Sequence, residues 1–355
     1  MEVKWDFRNK FTMLAVAVAT VLFLASMYVM VTYAADKVVI VTEDETQEAS
    51  EKEEEIKQSF SYNLDLSNMK DASLSHDLTI RCKDETGEDN LTLVHNYSEN
   101  KAIIILRGVD SASFLNNHPK GKLSYLNGMK IAGNGSEIMF TPEFSRLCEC
   151  VASFEGHDLN LDFVPVKNTE TVILVDAGHG GSKNGIKVGD LCEKDITLNI
   201  AKNLKKLSEG KPYRVILLRS GDYTLSEGKR LEYSMKLNAD YYIGLHADAD
   251  AGDERKYGMY AEYNGAFYRE GFSNAGFADC ILRNTCEATL NRGIALYDRF
   301  DDEMLREFEI PAMNLYVGYM SNKDEAELLK SGAYAERIAE GIIAGIEETL
   351  RKRGE

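Results

Sequence analysis

The stretch TVILVDAGHGG, Thr171 through Gly181, decides the fold. Thr171–Asp176 is an apolar run of mostly β-branched residues and reads as a buried strand. It leads straight into the glycine turn Gly178–Gly181, which puts His179 just past the strand's carboxyl end. Ile196, Ile200, Leu204 and Leu207 then recur at three- and four-residue spacing, one face of a helix. Arg214–Leu218 predicts a second strand, Arg230–Leu237 a helix, and Tyr241–Leu245 a third strand ending at His246. Gly258–Tyr263 predicts a fourth strand, Phe272–Leu290 a helix, and Ala312–Tyr319 a late strand. Ile338, Ile342, Ile343 and Ile346 mark the core face of a closing helix. This alternation over 171–355 predicts an α/β domain, a mainly parallel sheet with helices on both faces.

Upstream, residues 59–166 predict a small β-rich domain, a sandwich or barrel. Apolar stretches recur at Leu78–Ile80, Leu91–Val94, Ala102–Leu106, Glu137–Phe140, Cys148–Phe154 and Leu159–Phe163, separated by Gly, Asn, Asp and Ser clusters. Its position between the N-terminal segment and the α/β domain suggests a partner-binding role. His76, His95, His118 and His157 lie here without a ligand spacing. Before it, residues 36–58 form an acidic linker, with eight acidic residues against two lysines from Glu43 to Lys57. Residues 1–10, carrying Lys4, Arg8 and Lys10, precede an apolar run from Phe11 to Ala35 without a charged side chain. That run is long enough to cross ~30 Å of hydrocarbon as a helix. The basic flank keeps the short N-terminus in the cytoplasm and exports the body. The expected location is a single-pass cell-membrane protein with an extracytoplasmic body. A signal segment cleaved near Thr32-Tyr33-Ala34, giving a secreted protein, stays open.

The formal net charge of −17 excludes a nucleic-acid partner, because phosphate binding needs a basic face. Six cysteines include no pair at zinc-ribbon spacing. Cys148 and Cys150 should share one face of a strand, whereas Cys280 and Cys286 fall on different helix faces. Free or buried thiols are expected, with a disulfide open outside the cytoplasm.

Ligands in open α/β sheets gather at the carboxyl ends of strands, and His179 and His246 both stand there. Glu193, followed by Lys194 and Asp195, opens the first helix. Two imidazoles and a carboxylate make a three-ligand set that zinc accepts, with the fourth position left for water or substrate. The bland alternative is two packed histidines and a glutamate that complements the helix dipole. The glycine turn also admits a phosphate cradle, but it lacks the Gly-Lys-Ser/Thr ending and the GxGxxG order.

Val175-Asp176-Ala177-Gly178-His179-Gly180-Gly181, Glu193-Lys194-Asp195 and Leu245-His246-Ala247 together resemble the zinc-dependent N-acetylmuramoyl-L-alanine amidases of the type 3 group. The resemblance continues through Arg219, Asp222, Leu225, Arg230 and Ala239-Asp240. Asn291-Arg292-Gly293, Pro311-Ala312, Gly318 through Asn322, Glu325 and Leu328-Leu329 extend it, so that it spans about 171–350 in family order. It implies one Zn²⁺ held by His179, Glu193 and His246. It also implies hydrolysis of the amide between N-acetylmuramic acid and the L-alanine of peptidoglycan. The family's general-base glutamate aligns with Tyr316, and an unperturbed phenol titrates near ~10. Asp248, Glu262 and Glu309 are the substitute carboxylates. Lys183, Asp248, Gly244 and Ala177 are further departures from the family pattern. The resemblance thus implies an amidase, or else an inactive relative that binds peptidoglycan or regulates another cell-wall enzyme. The expected partners are peptidoglycan, the membrane through the N-terminal helix, and a cell-wall protein.

Overall fold

Alternating apolar side chains need two layers to bury them, and the chain builds its first pair from short strands. The structure, a computed structural model, describes residues 60–82, 86–115, 117–166, 171–266, 268–269 and 272–354. The expected cytoplasmic N-terminus, the anchor over 11–35 and the acidic linker lie outside these residues. Among the described residues no helix is long and apolar enough to cross a membrane.

The β-rich region comprises β1 (Phe60–Asn63), β2 (Leu78–Arg81), β3 (Leu91–Asn96), β4 (Lys101–Arg107), β5 (Leu126–Gly133), β6 (Glu137–Phe144), β7 (Cys148–Glu155) and β8 (Asp158–Pro165). They form a five-stranded sheet, β1-β5-β6-β4-β3, and a three-stranded sheet, β2-β8-β7. Every pairing is antiparallel. Ile104, Leu106, Ile131 and Phe140 from one sheet meet Leu78, Ile80, Cys148, Cys150, Leu159 and Phe163 from the other in one core. Cys148 and Cys150 do share a face, and both are free thiols, as are Cys280 and Cys286. Neither β1 nor β5 is visible as an apolar run, because β5 (LNGMKIAG) carries Asn and Gly within a strand that its neighbours stabilise.

The α/β domain follows as β9 (Thr171–Ala177), the two-residue hairpin β10 (Lys187–Val188) and β11 (Leu191–Cys192), α1 (Glu193–Leu207), β12 (Tyr213–Leu217), α2 (Glu227–Lys236), β13 (Tyr241–Asp248) and β14 (Met259–Tyr263). Then come β15 (Tyr268–Arg269), β16 (Phe272–Ser273), α3 (Asn274–Thr289), β17 (Gly293–Asp298), α4 (Glu303–Glu307), β18 (Ala312–Tyr319), α5 (Lys323–Leu329) and α6 (Gly332–Arg353). The principal sheet runs β12-β9-β13-β18-β14-β17.

The expectation of a mainly parallel sheet holds for four strands and needs correction for two. β12, β9, β13 and β18 are mutually parallel, whereas β14 pairs antiparallel with β18 and parallel with β17. The reason is the connection. No helix carries the chain back between Asp248 and Met259, so β14 re-enters from the end that β13 left. The sheet is therefore mixed.

Helices cover both faces. α1 offers Ile196, Ile200 and Leu204 to the sheet, with Glu193 and Asp195 in its first turn and Lys205 and Lys206 in its last, as the helix dipole favours. α6 lays Ile338, Ile342 and Ile346 on the same layer. It comes close to α3 because Gly341 carries no Cβ; one built there would stand 2.4 Å from Thr285 Cα. The other face holds α2 and Leu305 of α4, together with Tyr97, Leu147 and Val166 from the β-rich region.

Candidate metal centre

The site forms where β9 and β13 end side by side, Leu245 of β13 being paired with Ala177 of β9. His179 has φ 61°, and Gly180 and Gly181 have φ 130° and 57°. A left-handed non-glycine residue costs of order 1–3 kcal/mol and persists only where its surroundings impose it. Here Arg219, fully buried, donates to the carbonyls of Ala177 (2.7 Å) and Gly178 (2.9 Å) and to Lys194 O on α1 (2.8 Å). Burial draws its guanidinium down to about 10. Arg230 of α2 donates to His179 O (3.1 Å) and forms a buried ion pair with Asp176, which also accepts from the Tyr242 hydroxyl (2.6 Å).

Glu193 enters from the first turn of α1, and its carboxylate lies between two imidazoles. His179 Nε2 is 3.0 Å from Oε2, and His246 Nδ1 is 3.0 Å from Oε1. The main-chain amides of Ile186 (2.9 Å) and Ala247 (3.2 Å) donate to the same two oxygens. Burial opposes ionisation, but the two imidazoles and the Ile186 amide outweigh it and hold the carboxyl well below its ordinary range. Two glycines make the room. A Cβ on Gly185 would stand 2.4 Å from His179 Cδ2, and one on Gly178 would stand 2.7 Å from His246 Cε1.

The ligand atoms of His179, Glu193 and His246 all lie within 4.8 Å of one another. Zinc–nitrogen and zinc–oxygen bonds of ~2.0–2.2 Å place tetrahedral donors about 3.4 Å apart, so this donor set fits a zinc ion in type, number and separation.

Residues 173–348 match the family model described as N-acetylmuramoyl-L-alanine amidase. The C-terminal domain belongs to that amidase family. A curated relative, the amidase CwlM of Bacillus licheniformis, is 29% identical over 180 residues, covering 49% of this chain and 66% of its own length. The germination-specific N-acetylmuramoyl-L-alanine amidase of Bacillus subtilis (strain 168) is 27% identical over 198 residues, covering 52% of this chain and 81% of its own. Among solved structures, the catalytic domain of the amidase CwlV from Bacillus (Paenibacillus) polymyxa var. colistinus has 29% identity and a TM-score of 0.45. That likeness covers 51% of this chain and 98% of the other.

Around the three donors of the amidase-family domain stands an aromatic row. His246 and Tyr316 are register partners on β13 and β18. Their rings stack with centroids 5.2 Å apart and planes 27° apart. Tyr260 of β14, the register partner of Tyr316 on its other side, stacks on it at 4.3 Å and 8°. Burial, then the charge and hydrogen bonding of Glu262, push the Tyr316 phenol well above its ordinary value. The substitute carboxylates divide. Glu262 is buried beside Tyr316 and takes Arg299 Nη1 at 2.6 Å. Asp248, half-buried two residues past His246, accepts from the Tyr260 hydroxyl at 2.8 Å. Glu309 is exposed and precedes the amino end of β18, whereas the donors gather at the carboxyl ends, so the structure sets it apart from the site. Lys183 is exposed in a tight turn, bridged through its main chain to Gly180. What the sequence reading missed is Tyr260 and Arg299, which carry no motif and reach the site only through strand pairing and the loop after β17.

Proposed function

We propose that the C-terminal domain is a zinc-dependent N-acetylmuramoyl-L-alanine amidase that cleaves the amide between N-acetylmuramic acid and the L-alanine of peptidoglycan. The observation carrying this reading is the convergence of His179, Glu193 and His246 within an amidase-family domain. Bound there, zinc would polarise the scissile carbonyl and acidify a water. The chain's part is to hold the donors: Arg219 and Arg230 fix the turn that carries His179, and Glu193 is fixed by two main-chain amides. A positioned general base contributes typically ~10²–10⁴-fold. With Tyr316 at the position that the family resemblance gives to that base, turnover in this reading is slow and draws on Asp248 or Glu262. The deciding experiment incubates the chain with peptidoglycan and zinc and looks for stem peptides with free L-alanine amino ends. Zinc-loaded protein that releases none at high concentration defeats the enzymatic reading.

A second reading, an inactive domain that binds peptidoglycan or regulates another cell-wall enzyme, is favoured by two observations. The Tyr316 ring is packed between His246 and Tyr260, and Glu262 is committed to Arg299. In this reading Tyr316→Glu alone would switch hydrolysis on.

The same proposal puts the body outside the cytoplasm, held by Phe11–Ala35 as a single-pass anchor or released after signal cleavage. Amino-terminal sequencing of the membrane and secreted fractions separates the two. The β-rich region would contribute wall or partner contacts; a fragment spanning 59–166 without affinity for purified wall would remove wall binding.

A further inference from the structure

β3 is the end strand of its sheet, and end strands leave main-chain groups unpaired. Hydroxyls from the α/β domain meet that edge. Ser220 Oγ donates to Leu93 O at 3.1 Å, and the Tyr233 hydroxyl of α2 donates to His95 O at 3.2 Å. The Tyr223 phenol takes a hydrogen bond from the His95 main chain. Past the strand, Tyr97 packs edge-on against Tyr233 at 5.2 Å and 89°, and Ser98 donates to Glu232.

The same segments hold the metal turn from its other side. Asp222 accepts from Gly181 N (2.7 Å) and from Lys194 Nζ (2.7 Å), and Lys194 also donates to Gly181 O (2.7 Å). Thr224 Oγ1 donates to Gly180 O (3.2 Å). On α2, Arg230 reaches His179 O, while Tyr233, one turn further on, reaches β3.

We propose that the β-rich region is a fixed brace for the metal turn: the outer edge of β3 holds the 219–224 loop and α2, and these hold the main chain of residues 178–182. The partner of that edge is the chain's own α/β domain. Ser220 and Tyr233 are positioning residues that act through Asp222, Thr224 and Arg230. The consequence for metal affinity rests on the amidase reading above; the consequence for the turn's rigidity does not.

The test uses the intact chain with Ser220→Ala combined with Tyr233→Phe, changes that remove hydroxyls and little volume. Two quantities are read: amide hydrogen exchange over 178–182, and zinc affinity by competition with a chromophoric chelator. The expected result is exchange about tenfold faster in that segment and zinc bound about tenfold more weakly, the scale seen for lost supporting contacts. Ser220→Thr, which keeps the hydroxyl, should behave as wild type. A control removes a buried hydroxyl on the opposite face, Thr285→Val, whose Oγ1 bonds Ile281 O; it should leave 178–182 unchanged. A folded double variant with wild-type exchange over 178–182 overturns the brace, as does a control that accelerates it equally. Ser220→Ala alone decides the matter should the pair prevent folding. If wild type binds no zinc, the metal reading falls and the exchange data still judge the brace.

Discussion

His246 and Tyr316 face each other across neighbouring parallel strands, in register, with ring centroids 5.2 Å apart. A side chain in that position lies directly against one of the three convergent donors, where the family resemblance places a general base. A phenol raised by burial and by Glu262 does not accept a proton at neutral pH.

Tyr316→Glu is therefore expected to raise release of stem peptides by about 10²–10⁴-fold, measured as new L-alanine amino ends at fixed zinc. An increase below about threefold would show that the missing carboxylate does not limit the rate.

Replacing His179 or His246 with Ala is expected to weaken zinc by more than the ~10–100-fold typical of a lost supporting contact. Metal analysis after dialysis checks this, and full zinc content in either variant would refute the ligand assignment.

Gly185→Ala attacks the same site from behind. Gly185 has φ 64°, and its Cβ would come within 2.5 Å of Glu193 Oε2 and 2.4 Å of His179 Cδ2. Both the strained backbone and the displaced ligands should tell: about 1–3 kcal/mol of stability lost and weaker zinc binding, read by thermal unfolding with and without chelator.

His95 gives a pH dependence. Its ring is buried, stacked on Tyr97 at 5.1 Å and facing Glu149 and Lys205. Nε2 lies 3.0 Å from both the amide nitrogen and the carbonyl oxygen of Cys150, while Nδ1 has no partner among the described residues. Burial lowers its pKa; Glu149 and the Cys150 main chain oppose this, and Lys205 reinforces it. The folded chain thus keeps His95 neutral where the unfolded chain takes a proton. Its stability contribution is whole above the ordinary value near ~6.5 and falls below it, by at most about 1.4 kcal/mol per pH unit. Unfolding midpoints measured from about pH 7.5 down to about pH 5 should fall more steeply in wild type than in His95→Gln.

Glu325, a residue within the family resemblance, has a structural task. Buried, it accepts from Tyr319 N (2.7 Å), Gly258 N (3.1 Å) and Asn291 Nδ2 (2.8 Å), tying the end of β18 to the starts of β14 and β17. Glu325→Ala strands three donors and should cost about 2–4 kcal/mol, measured by denaturant titration.

The sequence by itself determined the α/β order and offered His179, Glu193 and His246 as candidate ligands, which the fold brings together. Buried parallel strands must be continuous apolar runs, and the core faces of α1 and α6 must repeat at helical spacing, so Thr171–Asp176, Ile196–Leu207 and Ile338–Ile346 were legible from local chemistry alone. The strand-end places of His179 and His246 followed from the same pattern. Tertiary structure alone decided the rest. The reversal of β14 and β17 depends on how a connection re-enters the sheet, and β17 is a short, half-exposed edge strand. That Tyr260 backs Tyr316, that Arg299 neutralises Glu262 and that Glu309 stands at the wrong end of β18 are matters of strand register, which no periodicity encodes. The docking of β3 on Ser220, Tyr223 and Tyr233 is likewise invisible in sequence, since hydroxyls scattered through a loop and a helix become one surface only when a strand's unpaired main chain meets them.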